Sequence, residues 1–154
     1  MKKAIALNAL AAAGLMASAA VWADTNTLTV QASVTGTCKF NSAASTLPFP
    51  ALDPSVGTDV NATQALLTYW CTKGQVASTS ASNGANPSGT QRRMKGPGAT
   101  DFIPYSLTLA GGAQTGQGKS TNLNLTLDGI VLGTDYINAT AGVYSDTVTL
   151  TITP

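Results

Sequence analysis

No histidine and no glutamate occur anywhere in the 154 residues, and charged side chains make up only 10% of them. Without histidine, neither a Ser-His-Asp nor a Cys-His nucleophile can be built. A zinc site would have to rely on the two cysteines plus aspartate, and nothing in the spacing nominates a Ser-Lys or Asp-Asp pair. The chain therefore reads as a non-enzyme with no cofactor and no metal. The shortage of charge also bears on fold. Glu, Lys and Arg are the residues that favour helices, whereas Ser, Thr, Asn and Gly fill the polar positions here, which suits pleated surfaces and turns.

What is present begins with a leader. Lys2 and Lys3 form a charged start, an Ala- and Leu-rich stretch runs from Ala4 to about Ala20, and Val21-Trp22-Ala23 supplies small or aliphatic residues for cleavage after Ala23. The stretch is dominated by alanine and interrupted by Asn8, which fits a spanning helix poorly. The expectation is a signal peptide over 1–23 and one domain over 24–154, long enough to bury a core. Two of the eight basic residues lie in the leader, leaving six against seven acidic residues, all Asp, so no nucleic-acid partner is implied. Export to an oxidising compartment makes a disulfide between Cys38 and Cys71 the default reading. Closing a loop of about 33 residues would stabilise the fold by roughly 3 to 4 kcal/mol.

Period-2 patterning recurs along the chain. Leu28, Val30, Ala32 and Val34 alternate with Thr and Gln or Ser from Thr27 to Thr37; Leu67, Tyr69 and Cys71 share one side of a strand over Leu66 to Cys71. Tyr105, Leu107 and Leu109 alternate, as do Leu123, Leu125 and Leu127, giving a hairpin with a long tip over Gly111 to Lys119. Tyr144 to Thr153 reads as a final strand carrying Val148, Leu150 and Ile152. Leu47-Pro48-Phe49-Pro50 lacks two ladder donors and is confined to an edge or a crossing segment. Asp53 to Asp59 reads as a turn, and Ser78 to Thr100 as a long polar loop. Strands at this spacing, with no strong 3.6-residue stripe, predict a β-sandwich.

Two motifs invite chemistry. Ala113 to Ser120 satisfies a loose P-loop pattern, but a phosphate cradle needs a helix after the loop, and the Leu alternation that follows is a strand, so no nucleotide is expected. Arg92-Arg93-Met94-Lys95 is the one basic cluster; it reads as solvated loop or edge charge, the alternative being an anionic partner or glycan. The N-terminal alternation has two readings that periodicity cannot separate. It is either the first strand of the sandwich or a detachable strand that completes a neighbour's sheet.

Thr35-Gly36-Thr37-Cys38, Thr68 to Gly74 around the second cysteine, Gln91-Arg92-Arg93-Met94, Ile103 to Leu107 and Gly142 to Thr151 together, in order and spacing, resemble the spore coat protein U domain family, found in subunits of archaic (Csu-type) chaperone–usher pili. The resemblance covers essentially all of 24–154. It implies an incomplete immunoglobulin-like β-sandwich of Greek-key type, lacking its last strand and completed by donor-strand exchange; the stop at Pro154 agrees with this. The donor segment would be 24–34, with Leu28, Val30, Ala32 and Val34 as its apolar residues. The acceptor groove would lie beside Tyr144, Val148, Leu150 and Ile152. The implied partners are neighbouring subunits in a head-to-tail polymer, a periplasmic chaperone and an outer-membrane usher, with the fibre reaching the cell surface and supporting adhesion or biofilm formation. Other readings are a secreted coat or matrix protein that forms no fibre, and a carbohydrate-binding module using Tyr69, Trp70 or Tyr105.

Overall fold

The computed structural model describes residues 22–154; the expected signal peptide over 1–23 lies outside it apart from Trp22 and Ala23. The chain divides into two units at the Ser33–Val34 bond. In the first, residues 22–33 form neither helix nor strand, and Leu28 and Val30 are 85% and 84% exposed. The strand expected over Thr27 to Thr37 is thus not formed: the alternation is there, but no ladder among the described residues engages it.

The second unit contains, among the described residues, β1 (Cys38–Phe40), β2 (Val60–Asn61), β3 (Ala65–Cys71), β4 (Ser78–Ala81), β5 (Arg92–Lys95), β6 (Phe102–Ala110), β7 (Leu123–Val131), a single helical turn α1 (Gly133–Tyr136) and β8 (Leu150–Thr153). Every ladder is antiparallel. One sheet runs β1-β3-β7-β6-β5, with β2 also on β7, and a second pairs β4 with β8. Immunoglobulin constant-type sandwiches set strands A-B-E-D against C-F-G. Here β1-β3-β7-β6 takes the first arrangement and β4-β8 the C-F pair, and no strand among the described residues fills position G.

The period-2 pattern explains the centre of this fold. Leu67, Tyr69 and Cys71 of β3 and Leu123, Leu125 and Leu127 of β7 point to one side and form a buried cluster, on which Leu150 and Ile152 of β8 pack from the second sheet. Burying side chains of this size stabilises by about 1.5–3 kcal/mol each. A second cluster gathers Met94, Ile103, Tyr105, Val131 and Tyr136. Pro104 sits within β6 without a broken ladder, because β6 pairs with β5 through Phe102–Tyr105 and with β7 only from Ser106 onward. Cys38 and Cys71 stand opposite each other in the β1–β3 register and are disulfide-bonded, as expected.

Two expectations are corrected. Ser78 to Thr100 is not a structureless loop, for it holds β4 and β5. Their polar sequences carry little apolar signal, and what stabilises them is pairing with β8 and β6 together with arginine bonds across the intervening turn. The final strand does not begin at Tyr144 either: only Leu150–Thr153 is a strand, since the backbone of Tyr144 to Thr149 is bonded to a neighbour only at Ser145 and Thr149.

Candidate functional site: an open apolar cleft

One wall of the cleft is the stretch from Ser45 to Pro54. Pro48, Pro50 and Pro54 have no N–H to give, which keeps the stretch out of a ladder. Among the described residues, the one backbone–backbone hydrogen bond to the stretch from Ala43 to Leu52 is donated by Thr63 N–H to the Pro48 carbonyl, at 2.8 Å. The segment is held instead by side chains lying over Gly129 of β7, where an added Cβ would come within 2.9 Å of Phe49 Cζ and 3.1 Å of Leu47 Cδ2. Ser55 closes the following turn by donating its N–H and hydroxyl to the Asp53 carboxylate, which lowers the pKa of that exposed acid.

The floor is made by Met94, Ile103, Tyr105, Leu107, Leu127 and Tyr136. The opposite wall runs from Ala139 to Leu150, and the space enclosed is about 870 Å³. Lys95 and Ser145 exchange two backbone bonds of 2.8 and 3.0 Å, and Thr149 N–H donates to Ser82 Oγ at 2.9 Å. Backbone groups of an extended chain point alternately to its two sides. Ser145 and Thr149 face Lys95 and Ser82, so the backbone of Tyr144, Asp146 and Val148 faces the other way, and it has no hydrogen-bond partner among the described residues.

A polar link ties floor to wall. Tyr105, 7% exposed, donates its hydroxyl to Asp146 Oδ2 at 2.7 Å, and Asp146 Oδ1 accepts from Ala85 N–H at 2.8 Å. Burial first, and the bond to Asp146 second, push the Tyr105 phenol far above its ordinary value. Phe49 from the first wall meets the Tyr105 ring edge-to-face at 6.3 Å between centroids. The cleft is thus an open, largely apolar trough with an unsatisfied backbone edge. Trough and edge together offer what an added strand needs, apolar slots for alternate side chains and backbone groups to bond. No group of three or more His, Cys, Asp or Glu that could hold a metal gathers among the described residues.

Of the residues expected at the acceptor edge, Tyr144, Val148 and Leu150 line this cleft, whereas Ile152 does not and packs on the Leu125 cluster. Leu28, Val30, Ala32 and Val34 are all exposed. Sequence reasoning missed the floor, the Leu47–Phe49 wall and Asp146; the proline pair of that wall was the available signal. The basic cluster turns inward in part: Arg92 donates to the Ser82 and Ala81 carbonyls, while Arg93 donates to the Asn86 and Pro87 carbonyls and lies 4.1 Å over the Phe102 ring. The P-loop-like Ala113 to Ser120 lies in the β6–β7 connection and runs into β7, with no helix to receive a phosphate. Tyr69 and Tyr105 are buried, which removes two of the three rings considered for glycan stacking.

A family model of the Spore Coat Protein U domain matches residues 24–151. No curated protein matches the chain. Among solved structures, a chain from the CsuC–CsuE chaperone–tip adhesion subunit pre-assembly complex of the archaic chaperone–usher Csu pili of Acinetobacter baumannii is similar, with a TM-score of 0.50 and 21% identity. The match covers 77% of this chain and 40% of that one, so the present chain spans well under half the length of its structural neighbour, and the likeness is one of fold.

Proposed function

The chain belongs to the Spore Coat Protein U domain family, and on that footing we propose that it is a structural subunit of a surface pilus, assembled through the chaperone–usher pathway by donor-strand exchange and supporting adhesion or biofilm formation. It enters the periplasm on a signal peptide spanning 1–23, and the exported chain is 24–154. The observation that carries this reading is the cleft, an apolar trough of about 870 Å³ bordered by unpaired backbone groups at Tyr144, Asp146 and Val148.

An exposed trough and a bare edge are an aggregation hazard, which accounts for a periplasmic chaperone lending a strand until the outer-membrane usher exchanges it. The permanent occupant is the 24–34 segment of the next subunit. Leu28, Val30 and Ala32 enter the trough at period 2, with Val34 at the border of the subunit's own fold, while Tyr144, Val148 and Leu150 receive them. The backbone of the incoming strand satisfies the bare edge, and its apolar face displaces water from the floor. Because the donor and acceptor surfaces differ, repetition gives an open head-to-tail fibre rather than a closed ring.

The reading is tested by deleting Asp24 to Val34. The shortened chain is expected to bind a synthetic 24–34 peptide and the chaperone's strand, yet to form no polymer; polymerisation at the undeleted rate would overturn it.

A further inference from the structure

The disulfide and the cleft share one stretch of chain. Cys38, the first residue of β1, is bonded to Cys71, the last residue of β3, across a sequence separation of 33. The whole of the Ser45 to Pro54 wall lies inside the covalent ring this closes, and the exposed 24–34 segment lies just outside it. β1 is a three-residue strand at the end of its sheet. Ahead of Cys38 the chain is fastened through one residue: Thr37 N–H donates to Thr72 Oγ1 at 3.1 Å, the Thr72 hydroxyl lies within bonding distance of the Thr35 and Thr37 carbonyls at 3.3 and 3.4 Å, and Thr72 N–H donates to the Thr37 carbonyl at 2.8 Å.

Resting on the donor–acceptor reading above, we propose that Cys38–Cys71 is a tension bypass, carrying load from the N-terminal segment directly into β3 so that pull along a fibre does not reach the wall of the acceptor cleft. In a fibre each subunit would be held at two places, by its own 24–34 segment seated next door and by the strand seated in its cleft. Tension between them enters at Val34 to Thr37. Without the covalent bond it would next meet the hydrogen bonds of β1, each worth only about 1 kcal/mol net, then Asn41 N–H to the Thr68 carbonyl, and then the stretch from Ala43 to Leu52 with its single backbone bond. Peeling that wall uncovers one side of the seated strand. With the bond in place, residues 39–64, the wall among them, lie on a slack arm parallel to the load. The load passes instead to β3, which has a strand on each side and a five-pair register with β7. Cys71 is fully buried and Cys38 half-buried, so a reductant reaches the bond from the Cys38 side.

The test is an optical-trap pull on the chain from Asp24, complexed with a 24–34 peptide, with handles on the chain's N-terminus and on the peptide. The oxidised complex is expected to part in one step with no lengthening from residues 39–70. After reduction in place it should part at lower force, with up to roughly 110 Å of added extension, the reach of the chain between the cysteines at about 3.4 Å per residue. Peptide dissociation without load should change far less than dissociation under load. Phe40→Ala loosens the β1 contact with the Tyr69 ring, 6.3 Å between centroids. With the disulfide closed it should leave the rupture force unchanged, and with the disulfide open it should lower it further. Equal rupture force and extension in both redox states overturn the bypass and leave the donor–acceptor reading standing. Failure of the peptide to seat in either state overturns that reading and the bypass with it.

Discussion

Tyr105 sits where floor and wall of the cleft meet, and its hydroxyl is the only side-chain hydrogen bond from the floor to Asp146 among the described residues. Tyr105→Phe keeps the ring and its edge contact with Phe49 but removes a bond to a charged acceptor, so it is expected to lower unfolding free energy by about 1.5–3 kcal/mol in urea titration. The pH dependence has a fixed sign. The folded-state pKa of this phenol is raised above the ordinary 10.0, chiefly by burial. Above that ordinary value the unfolded chain binds fewer protons than the folded one, and stability falls as pH rises. The contribution is therefore complete below about pH 10 and lost progressively above it. Urea midpoints measured from pH 8 to 11 should decline more steeply for the wild type than for Tyr105→Phe; parallel declines would show that Tyr105 is not the group responsible.

At the scale of elements, the strands legible in the sequence are those whose two faces differ. β3, β6 and β7 alternate because one side meets the core, and Leu123, Leu125 and Leu127 announce this before any partner is known. β4 and β5 were illegible because Ser78–Ala81 and Arg92–Lys95 are specified by remote pairing and by Arg92 and Arg93 reaching back to carbonyls. Half of the cleft was legible, through resemblance, as an edge near Tyr144. The proline-bearing wall was not, because an irregular segment shaped by a glycine across from it leaves no period to read. That glycine makes the wall testable. Gly129→Ala places a methyl against Phe49, Leu47 and the Ala62 side chain, at 2.9, 3.1 and 3.3 Å. The wall has few backbone bonds and should yield before β7 does, so the stability cost is expected near the low end of overpacking, about 1 kcal/mol. Affinity for the 24–34 peptide should fall several-fold, measured by calorimetry. A larger stability loss with unchanged peptide affinity would mean that β7 moves and the wall stays. Opening the disulfide acts on the same wall's root. Cys38→Ala with Cys71→Ala is expected to cost roughly 3–4 kcal/mol in the chain-entropy account, read from urea midpoints under non-reducing conditions.

For the molecule as a whole, the two exposed apolar features answer each other in chemistry. One is a segment from Leu28 to Val34 with a side-chain period of two and no partner strand within the described residues. The other is a trough whose far wall presents Tyr144, Val148 and Leu150 at strand spacing beside bare backbone groups. Period two makes a sharp demand, because adjacent residues of an inserted strand face opposite sides. Val30 would enter the trough while Gln31 would face water. Val30→Asp puts an uncompensated charge into an apolar slot and is expected to weaken peptide binding by about a hundredfold or more. Gln31→Asp, one residue away and with the same added charge, should change it by no more than a few-fold. Binding of the two variant 24–34 peptides to the chain lacking its own Asp24 to Val34 measures the difference directly. Equal losses would mean that charge alone governs the encounter. A reversed order would mean that the segment inserts with its polar face inward, one residue out of the proposed register.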